Sequence, residues 1–105
     1  MEKIFDTEQI LSKLDNSASC SYFVNFLETN TFEAGILKLD PNEEDTQGPH
    51  PVDELYFVIE GNGYIQIDKK NHQIKKGSCI FVPAKTSHNF FGNNGRLVVL
   101  YIFCS

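Results

Sequence analysis

Arginine occurs once in this chain, at Arg96, and the lysines are scattered apart from Lys69-Lys70 and Lys75-Lys76, which flank an expected turn. The net charge is −5. A groove that tracks phosphates needs clustered positive charge, so nucleic acid is excluded as a partner. No stretch approaches the ~18 consecutive apolar residues of a membrane span. No apolar segment follows the Met1-Glu2-Lys3 start, so neither a membrane anchor nor an export signal is expected. Cysteine is scarce: Cys20, Cys79 and Cys104 are an odd number without CxxC spacing. They read as reduced thiols, small hydrophobes buried in apolar runs in preference to a catalytic nucleophile, and the expected compartment is the cytoplasm. Internal repeats and linkers are missing too.

What remains is ordinary for a soluble globular protein: 41% hydrophobic and 22% charged residues in a chain of 105. A chain of that length can bury roughly two-thirds of its unfolded surface around one core. A single domain over 1–105 is therefore expected, with a helix and arm over 1–16 and β structure over 20–105.

Residues 6–14 predict a short helix. Asp6 can cap it, Gln9 follows three residues on, and Ile10, Leu11 and Leu14 form one apolar stripe, with Phe5 placed as a staple. Strand signals follow one another from Cys20 onward: Tyr22–Leu27, Phe32–Leu39, Leu55–Glu60, Tyr64–Asp68, His72–Ile74, Ser78–Val82, His88–Phe91 and Leu97–Phe103. Turn residues separate them, including Gly61-Asn62-Gly63, Lys69-Lys70-Asn71 and Asn93-Asn94-Gly95. Short strands at regular spacing predict an all-β antiparallel sandwich or barrel. Tyr22, Tyr56, Phe90 and Tyr101 are candidates to line its interior.

Leu55–Ile59 and Leu97–Phe103 are apolar on both parities, whereas a half-solvated strand alternates with polar residues. Something must cover the outside of the sheet. The helix can cover part, and a second copy of the chain the rest, so a homodimer is expected.

Chemistry concentrates in Gln47-Gly48-Pro49-His50-Pro51-Val52-Asp53-Glu54 and in His88. On one straight strand the Cα atoms of His50 and Glu54 would stand about 13 Å apart, too far to share a ligand. Pro51 disfavours that strand, and a turn through Pro51-Val52-Asp53 lets both side chains converge. His88, at the start of a later strand, can approach from a neighbouring position. Two imidazole nitrogens and one carboxylate oxygen make a facial set with open positions, as used by non-haem Fe(II) and catalytic zinc. Asp53 reads as a turn former and rival carboxylate, and His72 as solvated. Tyr56 shares the parity of Glu54, so its hydroxyl is the polar group expected nearest the metal.

These residues resemble the cupin superfamily over nearly the whole chain. The first cupin motif, His-x-His, three or four residues, Glu, six residues, Gly, is met by His50, Glu54 and Gly61; the second by Gly77, Pro83 and His88. The resemblance implies a jelly-roll cupin barrel (a double-stranded β-helix) with one short N-terminal helix. It also implies a divalent metal (Fe, Zn, Ni or Mn) on His50, Glu54 and His88, and a small-molecule ligand in the barrel. The Phe5-Asp6 opening and the Asp45-x-Gln47-x-Pro49-His50 run are similar to small single-domain cupins. Three positions depart from the pattern: Gly48 stands where the first histidine belongs, Lys85 replaces the glycine of Pro-x-Gly, and Gly92 replaces the closing asparagine. Gln47, beside the vacant place, can offer an amide oxygen, as a glutamine does in the sugar-phosphate isomerases of the superfamily.

Two main functions are open. A metal-dependent enzyme on a small molecule would be a dioxygenase with Fe(II), or an isomerase or lyase with Zn, Ni or Mn, with Tyr56 and Glu60 as candidate general bases. A non-catalytic module would hold a sugar or acidic metabolite in the barrel. Metal storage or a purely structural dimer is a third reading. The substrate is beyond reach, since one barrel hosts many reactions.

Overall fold

Asp6 starts the first element as its chemistry predicts: its side chain accepts from the Glu8 and Gln9 amides and caps α1 (Thr7–Asp15). The computed structural model describes residues 3–17 and 21–104. Cys20 and the Ala18-Ser19 end of the expected break lie outside the described residues. Leu14 is buried, Ile10 and Leu11 partly so, and Phe5 packs its ring on Phe26 at 4.8 Å.

Eight strands follow among the described residues: β1 (Phe23–Glu28), β2 (Phe32–Leu39), β3 (Glu54–Glu60), β4 (Asn62–Ile67), β5 (Lys70–Lys75), β6 (Cys79–Val82), β7 (His88–Phe91) and β8 (Leu97–Cys104). All pairings are antiparallel. A five-stranded sheet runs β1-β2-β8-β3-β6, and a three-stranded sheet runs β5-β4-β7. Their inner faces meet in one core that includes Leu37, Tyr56, Val58 and Val99 from the first sheet and Ile65, Ile74 and Phe90 from the second. This is the expected jelly roll, with its two sheets packed face to face and not closed edge to edge. The four proposed interior aromatics belong to this core or pack against it.

Two turns are tighter than the sequence suggests. Gly61 alone, at φ +87°, carries the chain from β3 in the first sheet to β4 in the second. Asp68 and Lys69, both at positive φ, make the next hairpin where Lys69-Lys70-Asn71 was expected.

Pleat parity decides which faces are wet. Glu54, Tyr56 and Val58 point into the core, so Leu55 and Phe57 face out. Ala34, Ile36 and Val98, also outward, are buried on the side of the sheet where α1 packs. Farther across, Leu55 is opposite Phe81 and Ile102, and Phe57 is opposite Cys79 and Leu100. Leu55, Phe57 and Phe81 are 40%, 43% and 58% exposed, leaving an apolar patch across three strands. The same parity corrects one expectation: Cys79 and Cys104 are exposed free thiols, because each falls on an outward position of its strand.

Gly35 lies opposite Tyr101, and any Cβ there would collide with the Tyr101 ring. Its bare backbone lets Tyr101 lie across β2 and donate its hydroxyl to Asn25.

Candidate metal site

Three separate parts of the chain supply the site. Glu54 opens β3 on an inward position, His88 opens β7, and His50 hangs from the long loop 40–53 between β2 and β3. The bend at Pro51 and Val52 brings His50 back towards Glu54 as expected, although His50 ends no strand. Backbone bonds lock these parts together. The Lys85 amide donates to the His50 carbonyl at 2.6 Å, and the Cys104 amide to the Asp53 carbonyl at 3.1 Å. Asp53 spends its carboxylate on the Ala84 amide at 2.9 Å, which makes it a fastener of the loop and not a rival to Glu54.

Ligand atoms of His50, Glu54 and His88 lie within 4.8 Å of one another, a group that could hold a metal ion. His50 Nε2 stands 3.7 Å from Glu54 Oε1, and His88 Nε2 3.3 Å from Glu54 Oε2. Glu54 and His88 are buried, and His50 is partly open. His88 Nδ1 contacts the Thr86 carbonyl at 2.9 Å and must donate to it, which leaves Nε2 aimed at the centre.

Tyr56 sits where that centre converges. Its hydroxyl donates to Glu54 Oε2, stands 2.9 Å from His88 Nε2 and reaches Gln47 Oε1 at 3.2 Å. Gln47 Oε1 is also 3.2 Å from His50 Nε2. Glu54 Oε2, Gln47 Oε1 and His88 Nε2 thus crowd one phenolic proton, with His50 Nε2 on the far side of the amide oxygen. A buried cluster so rich in lone pairs fits a cation. The same crowding sets the protonation states. Burial, then the Glu54 hydrogen bond and charge, push the Tyr56 phenol well above its ordinary value. Burial opposes charge on His88, but bonds to Glu54 and the Thr86 carbonyl outweigh it and raise its pKa.

Glu60 does not reach the site. Six residues along β3 is about 20 Å at ~3.3 Å per residue, and a register shift after Val58 leaves its side chain exposed. His72 is exposed as expected.

Asp45 was read only as part of the Asp45-x-Gln47-x-Pro49-His50 run, with no role of its own. Its carboxylate accepts from Tyr22 Oη (3.1 Å) and the Gln47 amide (3.3 Å) on Oδ1, and from Gln47 Nε2 (2.9 Å) and the Phe90 amide (2.8 Å) on Oδ2. The bond to Phe90 crosses to β7, a partner no local pattern could announce. Asn93 was read only as a turn residue, yet it is buried and donates Nδ2 to the Leu39 and Gly95 carbonyls.

The departures from the motifs have physical readings. Lys85 keeps a left-handed φ of +65°, the conformation a glycine would take without strain. Gly92, at φ +70°, lies against the Tyr64 ring, and Asn93 beside it makes the buried bonds. Gly48 has open space where a Cβ would stand. A cavity of about 70 Å³ opens beside Gln47 and His50, walled by Tyr22, Leu37, Tyr101 and Phe103.

Comparison with known proteins agrees with this architecture. The family model described as "Cupin domain" matches residues 35–103. An uncharacterized protein of Streptomyces coelicolor is 33% identical over 89 residues, 85% of each chain. The dimethylsulfoniopropionate lyase DddW of Ruegeria pomeroyi is 28% identical over 71 residues, 68% of this chain but 47% of the lyase. Among solved structures, the plu4264 protein of Photorhabdus luminescens superposes with a TM-score of 0.74 at 24% identity, over 86% of this chain and 82% of that one.

Proposed function

The chain belongs to the cupin family, and on that premise we propose that it is a metal-dependent enzyme acting on a small molecule, with His50, Glu54 and His88 as metal ligands and Gln47 Oε1 as the fourth. The observation that carries this is the convergence of Glu54, His88 and Gln47 on the Tyr56 hydroxyl, with His50 Nε2 3.2 Å from the same Gln47 oxygen. The bound ion would supply a Lewis acid, or a redox centre if it is iron. The other roles belong to the chain itself. Tyr56 holds a proton at Oη beside Glu54 and His88, and its raised pKa keeps that proton in place at neutral pH. It is therefore a neutral hydrogen-bond donor at neutral pH, and not a base. The similarity to a lyase favours lyase or isomerase chemistry over dioxygenation. Tyr22, Leu37 and Phe103 offer an apolar wall to a small ligand entering beside His50.

The non-catalytic reading, a binding module for a sugar or acidic metabolite, draws support from Gly48, which leaves the first-motif histidine missing. We also infer a homodimer through the patch formed by Leu55, Phe57 and Phe81, and a reducing compartment such as the cytoplasm, which suits the exposed thiols Cys79 and Cys104.

Elemental analysis of the purified protein beside a His50→Ala, His88→Ala double variant tests the ligand assignment. About one equivalent of a first-row divalent metal is expected in the wild type and none in the variant. Equal metal in both rejects the site.

A further inference from the structure

We infer that Asp45 is the positioning residue that turns the Gln47 amide so its oxygen faces the His50, Glu54 and His88 cluster. The inference rests on the metal-site reading above and extends it to a residue that touches none of those three side chains.

An amide can present either oxygen or NH2 to a site, and only one choice offers a metal a lone pair. Here a carboxylate makes the choice. Asp45 has no proton to give, so the Gln47 group 2.9 Å from its Oδ2 must be the NH2 donor. Gln47 Oε1 is then directed inward, 3.2 Å from both His50 Nε2 and Tyr56 Oη. The carboxylate itself is held still. The Phe90 amide donates to it from β7 at 2.8 Å, and the Tyr22 hydroxyl donates to it at 3.1 Å. A side chain on loop 40–53 is thereby referenced to the same strand that carries His88.

Replacing Asp45 by asparagine keeps its shape and weakens this control. Each carboxylate oxygen faces one backbone N–H, from Gln47 on Oδ1 and from Phe90 on Oδ2. With its NH2 at the Oδ2 place an asparagine faces two donors, Gln47 Nε2 and the Phe90 amide; with its NH2 at the Oδ1 place it faces the Gln47 amide, and only a neutral oxygen holds Gln47 Nε2, by a weaker bond than the carboxylate makes. Groups that orient a metal ligand in this way change metal affinity by roughly 10–100-fold when removed.

The experiment has two arms. In the metal-free protein, NMR of side-chain amides is expected to show the Gln47 Nε2 protons shifted and slow to exchange, and in D45N moved towards the bulk position with faster exchange. Bulk behaviour in the wild type, or no change in D45N, overturns the inference. In the second arm, titration with Zn²⁺ alone is expected to show a loss of at least about tenfold in affinity for D45N, a similar loss for Q47L, and no further loss in the double variant. D6A, which loses the helix cap far from the site, should weaken the fold but leave zinc affinity unchanged. Wild-type affinity in D45N, or additive losses in the double variant, would overturn the role assigned to Asp45 while the metal site stands. Failure of the wild type to bind Zn²⁺ would overturn the metal reading instead, and the first arm would still decide the orientation of Gln47.

Discussion

The amide of Lys85 donates to the carbonyl of His50 at 2.6 Å, so the turn that leads to His88 is fastened to the loop that presents His50. Two imidazoles distant in sequence are thereby placed relative to each other by the backbone. Lys85 adopts a φ of +65° to make that bond. Proline cannot take this φ and has no N–H to give. A Lys85→Pro variant is expected to lose about 2–3 kcal/mol of stability, combining backbone strain with a lost backbone hydrogen bond. Urea unfolding of the metal-free protein checks it, and an unchanged midpoint would contradict the coupling.

Tyr56→Phe removes the one proton shared by Glu54, His88 and Gln47. Without metal, the loss leaves buried acceptors unsatisfied and should destabilise the fold by about 1–3 kcal/mol. With saturating Zn²⁺ the cost should shrink, since the ion takes the same lone pairs. Paired denaturant titrations measure both values. An equal loss with and without zinc would mean that the cluster is not the cation site.

Gly48→His restores the histidine missing from the first motif, at a position with open space for a side chain. Zinc affinity should rise by an order of magnitude or more in calorimetric titration. No gain would mean that loop 40–53 points this residue away from the centre.

Much of this layout could be read from the sequence, and the reasons differ by residue. The helix start was legible because Asp6 caps within its own turn. The inward set Glu54, Tyr56 and Val58 was legible because a strand alternates with period two. His50 and Glu54 were brought together by recognising that Pro51 breaks a straight strand. The role of Asp45 was not legible, since its partner Phe90 is 45 residues away and an acid in a polar loop looks solvated. Cys79 and Cys104 were misplaced for a related reason. Both lie in apolar runs, but the apolar character of those runs belongs partly to an outer face. Glu60 shares the parity of Glu54 and Tyr56, and only the register shift after Val58 shows why it is lost to the site.

That outer face supplies the next prediction. Phe81→Glu, or Leu55→Glu, places charge in the uncovered patch and should convert a dimer to a monomer by light scattering after gel filtration, while metal content stays unchanged. A wild type that is monomeric at high micromolar concentration would contradict the dimer.

Alkaline stability follows from the buried phenols. Burial, then the charges of Glu33 and Glu28, raise the Tyr101 pKa in the folded chain, and Tyr56 is raised as well. An unfolded tyrosine ionises near 10. The stability these groups supply is therefore complete below about pH 10 and is lost as pH rises through the folded values, at up to about 1.4 kcal/mol per pH unit for each phenol. Urea midpoints measured from pH 8 to 11 should be level and then fall, and Tyr101→Phe should flatten part of the fall. A level profile throughout would contradict the burial of these hydroxyls.

The central claim is that the two imidazoles, the carboxylate and the Gln47 oxygen share one cation. An anomalous difference map from crystals grown with zinc, collected at the zinc edge, tests it most directly. One peak is predicted, at roughly 2.0–2.2 Å from His50 Nε2, His88 Nε2 and a Glu54 oxygen, with Gln47 Oε1 turned towards it. A peak elsewhere on the chain, or none in crystals containing zinc, would contradict the account.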